Sequence, residues 1–175
     1  MKLKLFIIIA IFFVFLISCS ENIEQKAQDI HKRVLTIDTH CDTPLRLIRG
    51  NHNIGIKNDP HKNGGKVDFI RMKEGGQDAM FFAVFLGQGA LTDDGFSKAK
   101  KLALKLFDAI HKSIKANPEL AELAFSSRDA KRIEESGKRA IYIGIENGYP
   151  IGKDISLIID FHGKQMPPKS RMVQS

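Results

Sequence analysis

The chain has 175 residues, of which 43% are hydrophobic and 27% are charged, a composition typical of one globular domain rather than of a disordered chain. Its formal net charge of +7 is concentrated at the two ends, because residues 1–18 and 161–175 hold five cations and no acid. Between those ends 22 basic residues balance 20 acidic ones. This near-neutral balance gives little support to the clustered basic face that nucleic-acid-binding domains carry, so no nucleic-acid partner is expected.

The amino terminus has a basic segment, then an apolar segment, then small residues. Lys2 and Lys4 precede the 13-residue apolar run Leu5–Ile17, which is followed by Ser18 and Cys19. A membrane-spanning helix needs about 20 apolar residues, so this layout favours a signal peptide over residues 1–18. Residues 16–19, Leu-Ile-Ser-Cys, resemble a bacterial lipobox. This resemblance predicts a lipid anchor on Cys19 and a location in the cell envelope, outside the cytoplasm. An ordinary cysteine at the cleavage site is the alternative.

Residues 19–33 form a linker that grades into an amphipathic helix, because Ile23, Ala27 and Ile30 recur at helical spacing. The β-branched run from Val34 to Ile37 then predicts a buried parallel strand, which Pro44 ends. His40 and Asp42 stand two residues apart near the end of this run, so their side chains are expected to project to the same side. The same alternation points Cys41 to the other face, where we interpret it as a packing residue.

Two further apolar runs follow, each separated from the last by a helical pattern. Residues 67–76 predict a short helix closed by glycines, and the run Ala79–Leu86 predicts a second buried strand. A long helix is expected from near Phe96, with its cap at residues 92–94. A short helix after Ser127 leads to the third apolar run, Ala140–Ile145, and Glu146 follows that run directly. This alternation predicts parallel βα units.

The carboxyl ends of the predicted strands concentrate the candidate ligands. In βα folds the functional residues gather at that edge of the sheet, and in a closed (β/α)8 barrel the strand ends surround one mouth. His40, Asp42 and Glu146 all occupy such positions. An imidazole with two carboxylates predicts a metal site, with Zn²⁺ favoured by the imidazole. The histidines at positions 52, 61 and 111 are interpreted as loop or structural residues.

Three motifs, in order, resemble the membrane (renal) dipeptidases, a family of zinc metallopeptidases with a (β/α)8 barrel. Residues 38–44, Asp-Thr-His-Cys-Asp-Thr-Pro, are similar to the family's first metal motif. Residues 67–82 are similar to its second characteristic block, and residues 145–152 to the stretch that holds its metal-bridging glutamate. The resemblance covers roughly residues 30 to 160, and three ordered motifs make it specific.

The resemblance implies that His40 and Asp42 bind a first Zn²⁺ and that Glu146 bridges to a second. A hydroxide bridging the two ions would then attack the peptide bond of a dipeptide substrate. Members of the family also form homodimers, which implies the same for an intact relative of this chain. The family's later elements, three histidines, an arginine and an aspartate, have no counterpart after Glu146, so no further catalytic residue is assigned.

The resemblance, taken together with the length of the chain, implies the amino-terminal portion of a TIM-type barrel, with about three of its eight strands. The partial dipeptidase domain is expected over residues 34–160, followed by an aberrant or disordered tail over residues 161–175 that a truncation or frameshift would explain. The fragment is expected to hold at most one Zn²⁺ and to be inactive alone. Two other readings remain: a non-catalytic envelope lipoprotein or decayed gene product that keeps the first metal motif, and another binuclear amidohydrolase.

Overall fold

The computed structural model describes residues 22–50, 52–62 and 65–165. The predicted signal peptide, the lipidation site at Cys19 and residues 166–175 of the predicted tail lie outside these ranges. The chain divides into two units, and the second begins at Leu35. Among the helices of the described ranges, none is both long enough and apolar enough to cross a membrane.

The described part of the first unit contains one helix, α1, which spans Ile23–His31. The side chain of Asn22 caps it by accepting a hydrogen bond from the backbone N–H of Gln25 at 3.2 Å, which satisfies one of the unpaired donors at a helix start. This helix is the amphipathic one that the spacing of its isoleucines predicts.

The second unit alternates strands and helices along the chain. Its elements are β1 (Ile37–Cys41), α2 (Pro44–Leu47), α3 (Phe69–Glu74), β2 (Ala79–Val84), α4 (Asp93–Lys115), β3 (Ala121–Leu123), α5 (Ser127–Glu135), β4 (Arg139–Ile145) and α6 (Leu157–Gln165). The four strands form one parallel sheet in the order β1-β2-β4-β3. The predicted parallel α/β architecture is confirmed, and over the described residues the sheet is open rather than closed.

Strand β3 corrects the predicted number of strands from three to four. It has only three residues, one of them Glu122, so it lacks the apolar run that marks β2 and β4. It pairs with the amino-terminal half of β4, where Ala121 lies opposite Arg139 and Leu123 lies opposite Ile141. Strand β3 forms because the edge of β4 offers it hydrogen-bonding partners, which its own sequence does not reveal.

Strand β1 corrects a second prediction, that of a buried first strand. It pairs with β2 and lies at one edge of the sheet. The apolar residues of and before this strand stay partly exposed, with exposed fractions of 50% for Val34, 38% for Leu35 and 46% for Ile37. A continuous apolar run is typical of a strand covered on both faces, but only tertiary structure decides which strand ends a sheet.

The main core lies between the sheet and helices α3, α4 and α6. Helix α4 begins after Thr92, whose hydroxyl accepts from the N–H of Gly95 at 3.1 Å, as the predicted cap requires. Strand β2 turns Met80, Phe82 and Val84 toward this core, which follows from the two-residue period of a strand. The helices add the largest remaining core side chains, among them Phe69, Met72, Leu106, Phe107, Ile110, Leu157 and Phe161.

Helix α6 corrects the predicted start of the tail. Phe161 is 2% exposed, and its ring stacks on that of Phe107 at a centroid distance of 5.9 Å. Burial of an aromatic ring stabilises the folded state by about 2 kcal/mol or more, so the helix continues to Gln165. The boundary that the sequence places at residue 161 therefore falls inside α6.

Candidate metal centre

The order of the strands brings the predicted ligands to one rim. Strands β1 and β4 both pair with β2 in parallel, so their carboxyl ends lie on either side of it at the same edge. The register of β1 shifts by one residue between Asp38 and Cys41. Such a bulge re-aims a side chain at the end of a strand. His40 lies within this irregularity, and its backbone N–H donates to Asp38 Oδ1 at 3.0 Å.

His40, Asp42 and Glu146 converge at that rim. The Nε2 atom of His40 lies 3.5 Å from Asp42 Oδ1 and 3.4 Å from Glu146 Oε2. One donor atom from each of the three side chains lies within 4.8 Å of the other two. All three side chains are partly exposed, with exposed fractions of 51%, 54% and 38%. The sequence prediction that these three residues come together agrees with this geometry.

The donor set has the chemistry of a site for a divalent metal such as zinc, and two of its separations match those around a tetrahedral ion. Zinc–nitrogen and zinc–oxygen bonds are about 2.1 Å long, so a tetrahedral ion separates its donors by about 3.4 Å. The two measured separations from His40 Nε2 are 3.5 and 3.4 Å. An imidazole beside two carboxylates suits zinc better than magnesium or calcium, which prefer oxygen ligands throughout.

A small cavity of about 140 Å³ adjoins two of the three side chains, those of His40 and Glu146. Besides His40 and Glu146 its walls include Thr39, Phe81 and Gly144. Sequence analysis missed these lining residues, although the alternation of β2 places Phe81 on the face opposite Phe82 and the core. Cys41 packs against the core, and its Sγ lies 3.1 Å from Thr43 Oγ1. The interpretation of Cys41 as a packing residue agrees with this position.

None of the other histidines of the described ranges belongs to this group of donors. His61 is an exposed loop residue, and His111 Nε2 contacts the backbone oxygen of Lys164 at 2.7 Å, between α4 and α6. His52 is half-buried rather than fully solvated. Burial, the largest influence, lowers the pKa of His52 below its ordinary value. A larger cleft of about 830 Å³ lies between α4, β3 and the end of α6, and none of the three candidate ligands lines it.

A parallel α/β sheet with an imidazole and two carboxylates on its carboxyl rim is the arrangement of a metal-dependent enzyme of the barrel type. The family model described as "Membrane dipeptidase (Peptidase family M19)" matches residues 24–166. The chain belongs to this family of metallopeptidases.

Individual relatives agree with the family match. Dipeptidase ataJ of Aspergillus terreus is 27% identical over 143 residues, which cover 78% of this chain and 35% of that protein. Dipeptidase tcpJ of Claviceps purpurea is 25% identical over 132 residues, covering 71% of this chain and 31% of the relative. The chain therefore spans about a third of the length of these relatives.

Solved structures show the same fold. The probable dipeptidase PvdM from Pseudomonas aeruginosa superposes with a TM-score of 0.66 at 23% identity, over 80% of this chain and 35% of that one. A metallo peptidase from Rhodobacter sphaeroides, liganded with a phosphinate mimic of the dipeptide L-Ala-D-Ala, superposes with a TM-score of 0.62 at 22% identity. That likeness covers 74% of this chain and 43% of the Rhodobacter chain.

Proposed function

We propose that this chain supplies the first part of the zinc centre of a dipeptidase, an enzyme that hydrolyses the peptide bond of dipeptides. The observation that carries the proposal is the convergence of His40, Asp42 and Glu146 at distances that suit one zinc ion. Family membership supports a dipeptide as the substrate. The dipeptide mimic bound to the Rhodobacter relative supports the same substrate class.

The three residues have two different roles in this proposal. His40 and Asp42, which share one strand end, would hold the first ion, and Glu146 would approach the same ion from β4 and reach toward a second. When bound, zinc supplies a Lewis acid that polarises the scissile carbonyl and lowers the pKa of the attacking water. The cavity walls formed by Thr39, Phe81 and Gly144 would exclude bulk water from one side of the centre.

A second candidate is metal binding without turnover, by an envelope lipoprotein that keeps the first metal motif. The open sheet favours it, because over the described residues the rim offers one imidazole and two carboxylates but no donors from further strands. A lipid anchor on Cys19 and a place outside the cytoplasm belong to either candidate, and the order of basic, apolar and small residues before Cys19 supports them.

Zinc titration tests the centre directly. The purified chain is titrated with Zn²⁺ in competition with a chromogenic chelator, and we expect one equivalent per chain. Zinc sites with four ligands bind with roughly 10–16 kcal/mol, or about 3 kcal/mol per ligand. Glu146→Gln is therefore expected to weaken binding about 100-fold.

Glu119→Gln is the matched control for this substitution. Glu119 is exposed and precedes β3, at the amino-terminal edge of the sheet and away from the rim. It should bind Zn²⁺ like the unsubstituted chain. A chain that takes up no zinc, or a Glu146→Gln variant with unchanged affinity, would overturn the proposed centre.

A further inference from the structure

We propose that Asn147 and Tyr149 are positioning residues for Glu146, because they fasten the segment after β4 to the segment after β2. The inference rests on the metal centre proposed above and deepens it. It identifies what holds Glu146, the ligand that follows β4 rather than lying in or directly after β1.

Glu146 needs such support because regular structure ends at the residue before it. The pairing of β2 with β4 stops at Val84 and Ile145. Beyond that pair, the backbone N–H of Glu146 donates to the carbonyl of Val84 at 3.4 Å, a long and therefore weak hydrogen bond. The Glu146 side chain is 38% exposed. The strand ladder therefore holds Glu146 only weakly, and packing covers its side chain only in part.

Asn147 continues the connection between the two segments where the ladder stops. Its Nδ2 donates to the carbonyl of Leu86 at 2.9 Å, and its Oδ1 accepts from the backbone N–H of Tyr149 at 3.0 Å. Leu86 is 3% exposed and belongs to the main core. One amide side chain thus ties the backbone on both sides of Gly148 to a buried part of the neighbouring segment.

Tyr149 adds a second connection to the segment after β2, four residues beyond Leu86. Its hydroxyl donates to the carbonyl of Ala90 at 2.9 Å, and its ring packs edge-on against Phe96 at a centroid distance of 5.6 Å. A Cβ atom at Gly89 would lie 2.8 Å from the Tyr149 hydroxyl oxygen, and one at Gly95 would lie 2.7 Å from it. The two glycines leave the space that the hydroxyl occupies.

The two connections attach the segment that holds Glu146 to a rigid part of the molecule. Phe96 belongs to the first turns of α4, and six residues of that helix are buried in the core. If either connection is lost, the backbone after β4 gains freedom at Gly148 and the Glu146 carboxylate spends less time at the distance that zinc requires. Metal affinity should then fall while the core, and so the stability of the fold, changes little.

The test compares Tyr149→Phe with Tyr142→Phe, since these are the only two tyrosines of the chain. The hydroxyl of Tyr142 also donates to a backbone carbonyl, that of Ser126, at 2.7 Å. Each substitution therefore removes one hydroxyl and one hydrogen bond, but only the Tyr149 hydroxyl connects the segment after β4, which begins with Glu146, to the segment after β2. Asn147→Ala serves as a second variant of the same connection.

Two readouts separate positioning from a general loss of stability. Zn²⁺ affinity is measured by chelator competition, and the visible spectrum of bound Co²⁺ reports the ligand geometry, while thermal unfolding is followed by circular dichroism. Tyr149→Phe is expected to weaken Zn²⁺ binding about tenfold, at the lower end of what supporting partners of metal ligands contribute, and to change the Co²⁺ spectrum. Tyr142→Phe should change neither, and the two variants should unfold at similar temperatures.

Each outcome decides the inference. Unchanged affinity and an unchanged Co²⁺ spectrum in Tyr149→Phe would overturn it, and so would an equal loss of affinity in Tyr142→Phe. If Asn147→Ala does not fold, Tyr149→Phe alone decides. Absence of metal binding by the unsubstituted chain would instead overturn the proposed centre, and this inference with it.

Discussion

A largely buried polar network at the amino ends of the strands holds β1, the strand that contains His40 and directly precedes Asp42. Asp78 Oδ1 accepts from Arg139 Nη1 at 3.0 Å, and Asp78 Oδ2 accepts from the backbone N–H of Thr36 at 3.0 Å. The backbone N–H of Asp78 in turn donates to Thr36 Oγ1 at 2.9 Å. None of the residues of β1 is fully buried, so these bonds matter more for this strand than apolar packing does. We predict that Asp78→Ala strongly destabilises the sheet.

The expected magnitude follows from the burial of the partner. The side chain of Arg139 is 7% exposed, and without Asp78 its positive charge stays buried with no anion. Removing one member of a buried ion pair costs roughly 3–5 kcal/mol, against a total stability of about 5–15 kcal/mol. For a chain of this size the loss corresponds to a fall of about 10 °C in the unfolding temperature.

Thermal and urea unfolding of the purified chain measure this effect, and Glu74→Ala is the control. Glu74 Oε2 lies only 2.6 Å from Lys57 Nζ, closer than the atoms of the buried pair, but these side chains are 52% and 59% exposed. Exposed pairs contribute about 1 kcal/mol or less. The double variant Asp78→Ala with Arg139→Met should recover part of the lost stability, because it removes the uncompensated charge.

Similar losses in the free energy of unfolding for Asp78→Ala and Glu74→Ala would contradict this prediction. Burial would then not decide the strength of ion pairs in this fold. A double variant less stable than Asp78→Ala would argue against the buried charge as the cause of the loss.

Two further predictions concern the loop before α3 and the activity of the chain. Burial alone would raise the pKa of Asp68, but hydrogen bonds from the N–H groups of Asn58 and Arg71 and from the Arg71 guanidinium outweigh it and lower that pKa. The stability from Asp68 is therefore present above its ordinary pKa of about 4 and is lost as the pH falls through the lower folded-state value. Asp68→Asn should lower the free energy of unfolding by about 3 kcal/mol at pH 7, and this difference from the unsubstituted chain should become smaller below about pH 4. Thr92→Ala is the control, because it removes an exposed helix cap and should cost only about 1 kcal/mol. A difference between Asp68→Asn and the unsubstituted chain that stays constant with pH would contradict this account. The purified 175-residue polypeptide with Zn²⁺ is expected not to hydrolyse L-Ala-D-Ala, because an incomplete ligand set holds the ion weakly, and zinc-dependent release of alanine would disprove that expectation.

The local pattern of apolar residues was sufficient to predict the central strands β2 and β4 and the long helix α4. The apolar runs of β2 and β4 predict those strands to within two residues of their ends, because a strand covered on both faces needs apolar side chains at every position. The spacing of apolar residues predicts α4, and Thr92 marks its start. Each of these signals depends on neighbours in sequence, which is why the sequence alone reveals it.

The elements at the edges of the sheet needed tertiary information. The run before His40 predicts burial, yet β1 lies at an edge and its apolar residues stay partly exposed. Strand β3 has too few residues and too polar a composition to be visible in the sequence, and its pairing with β4 creates it. Phe161 lies at the start of a segment without helical periodicity, but its packing on Phe107 continues α6 past it.

The same division holds for the metal centre. The sequence by itself determined the chemistry: an imidazole and a carboxylate two residues apart, and a glutamate after another apolar run, all at strand ends. Only the tertiary structure decided that the three side chains meet. The distance from His40 to Glu146 depends on the strand order, on the bulge in β1 and on the hydrogen bonds by which Asn147 and Tyr149 position the segment after β4. Residues 106 positions apart approach to 3.4 Å through contacts that no local pattern encodes.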